Sequence, residues 1–281
     1  MKETRYYAPR ILGEALELLV QHGQKAAVLA GGTDIGVDLN LGKAAPEVLV
    51  YIGNLRELDY IKEDGGALRI GALVTHASIA SSSLVKEKAG VLAEAAATIG
   101  GPAIRNVATI GGNLINASPA SDSAVPLLAM GASVKLVSAR GERTLPLADF
   151  FVGPGKTVLA PDELLVEIAI PLPNDPVAGK FLKLGNRKAV ICALVSTAAV
   201  AVFAAGNGIV RYVKIALGSV APTPMRAHRA EDELRGQKLT PDLIAKAGTL
   251  AAEESKPIDD ARASAWYRKE MVKVLVERSL T

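Results

Sequence analysis

The sequence predicts an α+β fold in two parts. A longer N-terminal region, residues 1–175, is followed by an antiparallel sheet and helices in residues 176–281. Three observations predict this. Apolar residues switch between helical spacing and short strand-like runs along residues 9–173. The stretch PLPNDPVAG, residues 171–179, sets three prolines and a glycine in nine positions, the composition of a boundary. Beyond it, strand-like segments come first and helical ones last.

In order, PRILGEALELLVQHG (residues 9–23) has helical spacing and a glycine stop. KAAVLA (25–30) is a short apolar strand, broken by GGTD (31–34), and IGVDLNLG (35–42) reads as a short helix. VLVYIGN (48–54) and ALRIGALVT (67–75) are strands with the turn EDGG between them. Residues 76–101 form one or two helices. ASVKLVSA (132–139) is a strand, RGER (140–143) a turn, and ELLVEIAIPLP (163–173) a strand ending in proline. After the boundary come KFLKLGN (180–186), the apolar run AVICALVSTAAVAVFAAG (189–206), GIVRYVKIALGSV (208–220) and two helices. The apolar run is long enough to suggest a membrane span, but Ser196 and Thr197 interrupt it and it is rich in Ala and Val, so it reads as a buried strand. The last helix, within residues 259–280, carries the single tryptophan, Trp266, expected as a packing anchor.

A chain of 281 residues buries a sizeable core without covalent staples. A net charge of +3 points to neither nucleic acid nor a membrane surface. One cysteine, Cys192, excludes a disulfide within the chain, a CxxC pair and a cysteine-ligated iron–sulfur cluster. His22, His76 and His228 are too scattered to suggest a metal site. The N-terminal stretch has no long apolar run before its charges, so neither a signal nor a transit peptide is read there, and a cytoplasmic location is expected.

The tetrapeptide TIGG occurs twice. The first follows GVLAEAAA and precedes Pro102, so Gly100 and Gly101 read as a helix stop. The second has no long helical pattern before it and opens into NLINASPASD. A turn without side chains exposes several N–H groups able to cradle a phosphate, with Thr109 and Asn113 adding side-chain donors. Asp122 would repel a phosphate and is better suited to accept hydrogen bonds from hydroxyl or amide groups beside it. A tight loop with a capping Asp is the alternative. The loop VLAGGTDI, residues 28–35, has a strand, a glycine turn and a possible helix capped by Thr33 or Asp34. Two such loops suit a diphosphate, although neither is GxGxxG. FFVGPGKT fails as a Walker loop, because Phe150 stands where its first glycine belongs.

Five ordered blocks carry a resemblance over nearly the whole chain: AGGTD, RNVATIGGNLINASPASD, FFVGPGKTVLAPDELLVEIAIP, GSVAPTPMRA and IDDARASAWYRKEMVKVLVERSL. Together they resemble the FAD-binding medium subunit of molybdenum hydroxylases, the family of xanthine dehydrogenase and carbon monoxide dehydrogenase. The resemblance implies a two-part FAD-binding domain, residues 1–175, with α+β lobes of about 1–55 and 56–175, and a small C-terminal domain, residues 176–281. Within it, Val28, Leu29, Ala30, Gly31, Gly32, Thr33, Asp34 and Ile35 would wrap the FAD diphosphate. Thr109, Gly111, Gly112 and Asn113 would complete the grip, and Ile115 would line the pocket. Asp122 would hold polar groups of the cofactor. Leu165 and Lys183 would approach from the isoalloxazine side, where a lysine steadies negative charge on reduced flavin.

The implied role is electron transfer, with no catalytic residue and no metal ligand on this chain. A large subunit would hold the molybdenum cofactor and a small subunit two [2Fe-2S] clusters, in a heterotrimer or a dimer of heterotrimers. The resemblance departs at Ile191, Cys192 and Ala193, where many relatives carry Asp, an apolar or aromatic residue, then Ala. It departs again at Ile99, where some relatives place an aromatic near the flavin. Both departures leave the terminal acceptor open among NAD, oxygen, a quinone and a carrier protein, and Cys192 would be a small filler near the flavin. Two other readings stand beside this one: a stand-alone flavin oxidoreductase of the same fold, and a scaffold subunit that has lost FAD.

Overall fold

The structure, a computed structural model, describes residues 4–175, 177–204 and 208–281. Pro176 of the expected boundary, and Ala205 and Gly206 at the end of the long apolar run, lie outside the described residues.

Strands Arg5–Tyr7 (β1), Ala26–Leu29 (β2) and Val48–Tyr51 (β3) make a parallel sheet in the order β1-β3-β2. Helix Leu12–His22 (α1) buries Ala15, Leu16 and Leu19 in one core with Val48, Val50 and Ile52. Helix Ile35–Asn40 (α2) follows β2 across the GGTD turn.

A second sheet is built from Ile61–Asp64 (β4), Ala67–Gly71 (β5), Ser133–Ser138 (β6), Gly141–Pro146 (β7) and, after a small hairpin of Phe151–Gly153 (β8) and Lys156–Thr157 (β9), Leu164–Pro171 (β10). Its order is β4-β5-β10-β6-β7, antiparallel throughout. Between β5 and β6 run six short helices: His76–Ser81 (α3), Ser83–Lys88 (α4), Gly90–Thr98 (α5), Pro102–Arg105 (α6), Ile110–Ile115 (α7) and Ala124–Met130 (α8). Residues 76–98 thus form three helices rather than one or two. Ser82 ends α3 and caps α4, accepting from the Val85 amide, and Ala89 separates α4 from α5.

The third sheet, Val177–Leu184 (β11), Val195–Phe203 (β12), Val210–Gly218 (β13) and Met225–Arg226 (β14), is antiparallel in sequence order. One face packs under helices His228–Leu234 (α9), Pro241–Glu254 (α10) and Ala265–Leu280 (α11). On the other, Phe181, Ala198, Val200 and Ala216 share a core with α5 and α8. Burial on both faces accounts for the apolar run of β12, which is a strand as expected.

Among the elements the sequence did not announce are polar ones, beside the short apolar helix α8 (AVPLLAM). β4 reads IKED and β7 reads GERTLP, and both are edge strands with little apolar alternation. Three C-terminal helices stand where two were expected, because α9 (HRAEDEL) is short and charged. Trp266 is not a packing anchor: it is 71% exposed in the first turn of α11, and Val272, Leu275 and Val276 hold that helix to the core. Among the described residues no helix is long and apolar enough to cross a membrane.

Candidate functional site

The first glycine loop leaves β2 and enters α2 with its backbone amides unused. The N–H groups of Gly31, Gly32, Thr33, Asp34 and Ile35 reach no acceptor among the described residues. Gly32 sits at φ +74°, a conformation that suits glycine. Neither Thr33 nor Asp34 caps α2 with its side chain, contrary to expectation. Unpaired successive amides form an anion-binding concavity.

The two loops touch. A Cβ on Gly31 would lie 2.0 Å from the Val107 carbonyl oxygen, so only glycine allows this approach. Asn116 Nδ2 donates to Asp34 Oδ1 at 3.1 Å, bridging the loops a second time. Burial raises the Asp34 carboxyl above its ordinary value, with Asp38 adding to the effect.

The second TIGG does not behave as an open turn. It is the opening of α7, capped by Thr109, whose hydroxyl oxygen accepts from the Gly112 amide at 3.1 Å. The Ile110 amide donates to Val74 O, Gly111 to Ala72 O and Asn113 to Thr109 O. Its N–H groups are therefore spent on the protein, and the expected amide cradle on this loop is replaced by a packing role. A Cβ on Gly111 would meet Ala72 O at 2.7 Å, so Gly111 lets α7 lie against the second sheet. What the loop offers outward is side chain. Ser121 and Ser123 both donate to Asn113 Oδ1, at 2.6 and 2.5 Å, which leaves Nδ2 donating to no described protein group. Gly112, Asn113 and Ile115 are partly exposed, whereas Thr109 is buried.

Asp122 precedes α8 and is 7% exposed. Its Oδ2 accepts from Lys183 Nζ at 2.6 Å, and Lys183 also donates to Thr98 O at 3.2 Å. This buried pair ties β11 to the end of α5 and the entrance of α8. Burial raises the Asp122 carboxyl, opposed by Lys183. Its Oδ1 is buried with no partner. A buried acceptor left open in an otherwise bonded cluster fits a ligand hydroxyl or amide. Beside Lys183 lies a cavity of about 330 Å³, lined by Thr98, Gly101, Arg105, Arg187 and Ile191 among others. Arg105 donates to the Ile99 and Gly100 carbonyls and so braces the first TIGG, where Gly100, at φ +48°, stops α5 as expected. Cys192 is exposed.

The structure thus brings residues 31–35 against the stretch leading into the second loop, and Lys183 against Asp122. It does not bring Leu165 to this surface: that side chain is 1% exposed within the core under the second sheet. Sequence reasoning missed Asn116, Ser121, Ser123 and Arg105. The first three fall in the polar stretch after the second TIGG, and only their partners distinguish them. The unpaired amides of the first loop, the free Asn113 Nδ2 and the open Asp122 Oδ1 together fit a cofactor with a diphosphate and a polar chain, as FAD has.

Two family models match end to end along the chain. One, described as the FAD binding domain in molybdopterin dehydrogenase, covers residues 2–173, and the other, the CO dehydrogenase flavoprotein C-terminal domain, covers residues 180–281. The chain is 36% identical over 277 residues to the glyceraldehyde dehydrogenase medium chain of Sulfolobus acidocaldarius, spanning 99% of this chain and 97% of the relative. It is 32% identical over 278 residues to the xanthine dehydrogenase FAD-binding subunit of Escherichia coli O157:H7, spanning 98% and 94%. Among solved structures, a chain of carbon monoxide dehydrogenase from Hydrogenophaga pseudoflava, in a form lacking the Mo-pyranopterin moiety of the molybdenum cofactor, superposes with a TM-score of 0.94. That chain shares 36% identity, with 99% of this chain and 96% of the other covered.

Proposed function

This chain belongs to the family of FAD-binding medium subunits of molybdenum hydroxylases, and from that premise we propose that it is the electron-transfer flavoprotein of such a complex. In this reading a large subunit holds the molybdenum cofactor, a small subunit holds two [2Fe-2S] clusters, and this chain passes their electrons to a terminal acceptor. The observation that carries the reading is the run of five unpaired amides on residues 31–35, held against the second glycine loop.

Bound FAD supplies a centre that takes up electrons singly and releases them as a pair. The residues of this chain bind and orient it. The amides of Gly31, Gly32, Thr33, Asp34 and Ile35 neutralise the diphosphate without a lysine or arginine. Asn113, fixed by Ser121 and Ser123, offers Nδ2, and Asp122 offers Oδ1 to a hydroxyl or amide of the cofactor. Lys183 stands at the far side of the site, held by Asp122 and Thr98 O. Val28, Leu29 and Ala30 position the first loop from β2.

The test is anaerobic mixing of the flavin-loaded chain with its partner subunits and a substrate of the complex. Bleaching of the flavin bands only when both partners are present is expected. Bleaching by substrate in the isolated chain would replace this reading with a stand-alone oxidoreductase.

A further inference from the structure

A second cavity, of about 370 Å³, lies at the junction of the second and third sheets. It is reached along the opposite ends of the elements that carry the FAD-side ion pair. Asp122 precedes α8 and Lys183 closes β11, whereas this cavity is bordered by Met130 at the end of α8 and Val177 at the start of β11.

Its lining is mixed: Val91, Met130, Ile170, Leu172, Val200 and Val202 give an apolar wall, and Lys86, Glu87, Lys88 and Glu94 give a charged one. Lys214 of β13 extends into the apolar wall from its register position opposite Val200. The ammonium has no carboxylate within 4.0 Å and no acceptor within hydrogen-bonding distance among the described residues. Its Nζ lies against Gly131 at the end of α8, where an added Cβ would stand 2.2 Å away, and the Tyr212 ring centroid is 6.0 Å away. Burial, with Arg226 adding to it and Glu231 opposing it, pushes the lysine below its ordinary pKa, so burial outweighs the attraction of the one acid that acts on it. The acids nearby are engaged elsewhere: Glu231 pairs with Arg226 and accepts from the Ile215 amide, Glu94 accepts from the Phe181 amide, and Glu87 pairs with Lys88. At the same wall, the amides of Gly90 and Val91 open α5 without a recorded acceptor.

We propose that this junction cavity binds an amphipathic organic carboxylate, with its carboxylate on Lys214 and its hydrocarbon body against the apolar wall. An unpaired cation beside the apolar wall of a concave site is satisfied by a ligand that brings one negative charge and a body to cover that wall. A small inorganic anion supplies only the charge. The site joins α5 and α8 to β11–β13, the same elements that the Asp122–Lys183 pair joins at the other end.

Calorimetric titration of the full chain with octanoate, octanol and inorganic phosphate tests this. Octanoate is expected to bind at a single site, and octanol and phosphate at least tenfold more weakly. Lys214→Met is expected to weaken octanoate at least tenfold and Lys214→Arg much less. Val177→Trp, at a half-exposed border position, fills the cavity without disturbing the core and is expected to abolish octanoate binding. No octanoate binding to the wild type overturns the proposal, as does binding that both Lys214→Met and Val177→Trp leave unchanged. Tighter binding of phosphate than of octanoate also overturns it, in favour of a simple anion site. Flavin content read on the same samples separates this outcome from that of the FAD site.

Discussion

Among the described residues, Asp122 and Lys183 are each other's only ion-pair partner, with side chains 9% and 7% exposed. A buried pair contributes little net stability over an apolar pair, but removing one member strands the other. Lys183→Met is therefore expected to cost about 3–5 kcal/mol in urea unfolding. The double variant Asp122→Asn, Lys183→Met should recover part of that loss. A cost below about 1 kcal/mol for the single variant would contradict the burial of the pair. His76 gives a pH prediction. It is fully buried, neither ring nitrogen has a partner, and burial lowers its pKa to about 4. The unfolded chain takes up the proton near the ordinary histidine value, so this contribution is complete above about pH 6.5 and is lost as pH falls towards 4. Over that window it amounts to about 3 kcal/mol. His76→Leu should flatten the acid limb of stability against pH, and an unchanged slope would refute the assignment. At this scale the sequence pointed to Asp122 and Lys183 separately. Their pairing spans 61 positions and is set by the docking of the third sheet on α5 and α8, which no local pattern encodes.

At the scale of elements, the two glycine loops do different work. The first keeps its amides free and the second spends them on Thr109, Val74 and Ala72. The sequence suggested two loops on one ligand, and both do meet, through Gly31 and Val107 and through Asp34 and Asn116. It did not reveal that the second opens a helix, because α7 has only six residues and too little pattern to register as one. A matched pair of variants separates the positions. Gly31→Ala drives a methyl into the Val107 carbonyl and should weaken FAD binding at least tenfold. Gly36→Ala meets nothing within 4 Å, sits in α2 and should keep FAD while gaining up to about 1 kcal/mol from helix propensity. Equal FAD affinity in the two, measured by flavin fluorescence quenching, would remove the close approach of the loops from the account.

At the scale of the whole molecule, the order of strands before helices after residues 171–179 was legible, because β12 and the amphipathic C-terminal helices carry strong patterns. The edge strands and the exposure of Trp266 were not. An indole in an amphipathic helix reads as core until the face that packs is known, and here Val272 and Val276 define that face. Trp266→Ala should change the stability of the isolated chain by no more than about 0.5 kcal/mol. A loss of several kcal/mol in thermal unfolding would restore the anchor reading.

The account stands on residues 31–35 holding FAD, and the absorption spectrum of the purified full chain after gel filtration with added FAD tests it most directly. The wild type should retain flavin bands at equimolar FAD, and Gly32→Asp, which sets a carboxylate among the free amides, should lose them while keeping its circular dichroism. A folded wild type that emerges colourless, or a Gly32→Asp chain that keeps its full flavin content, would contradict it.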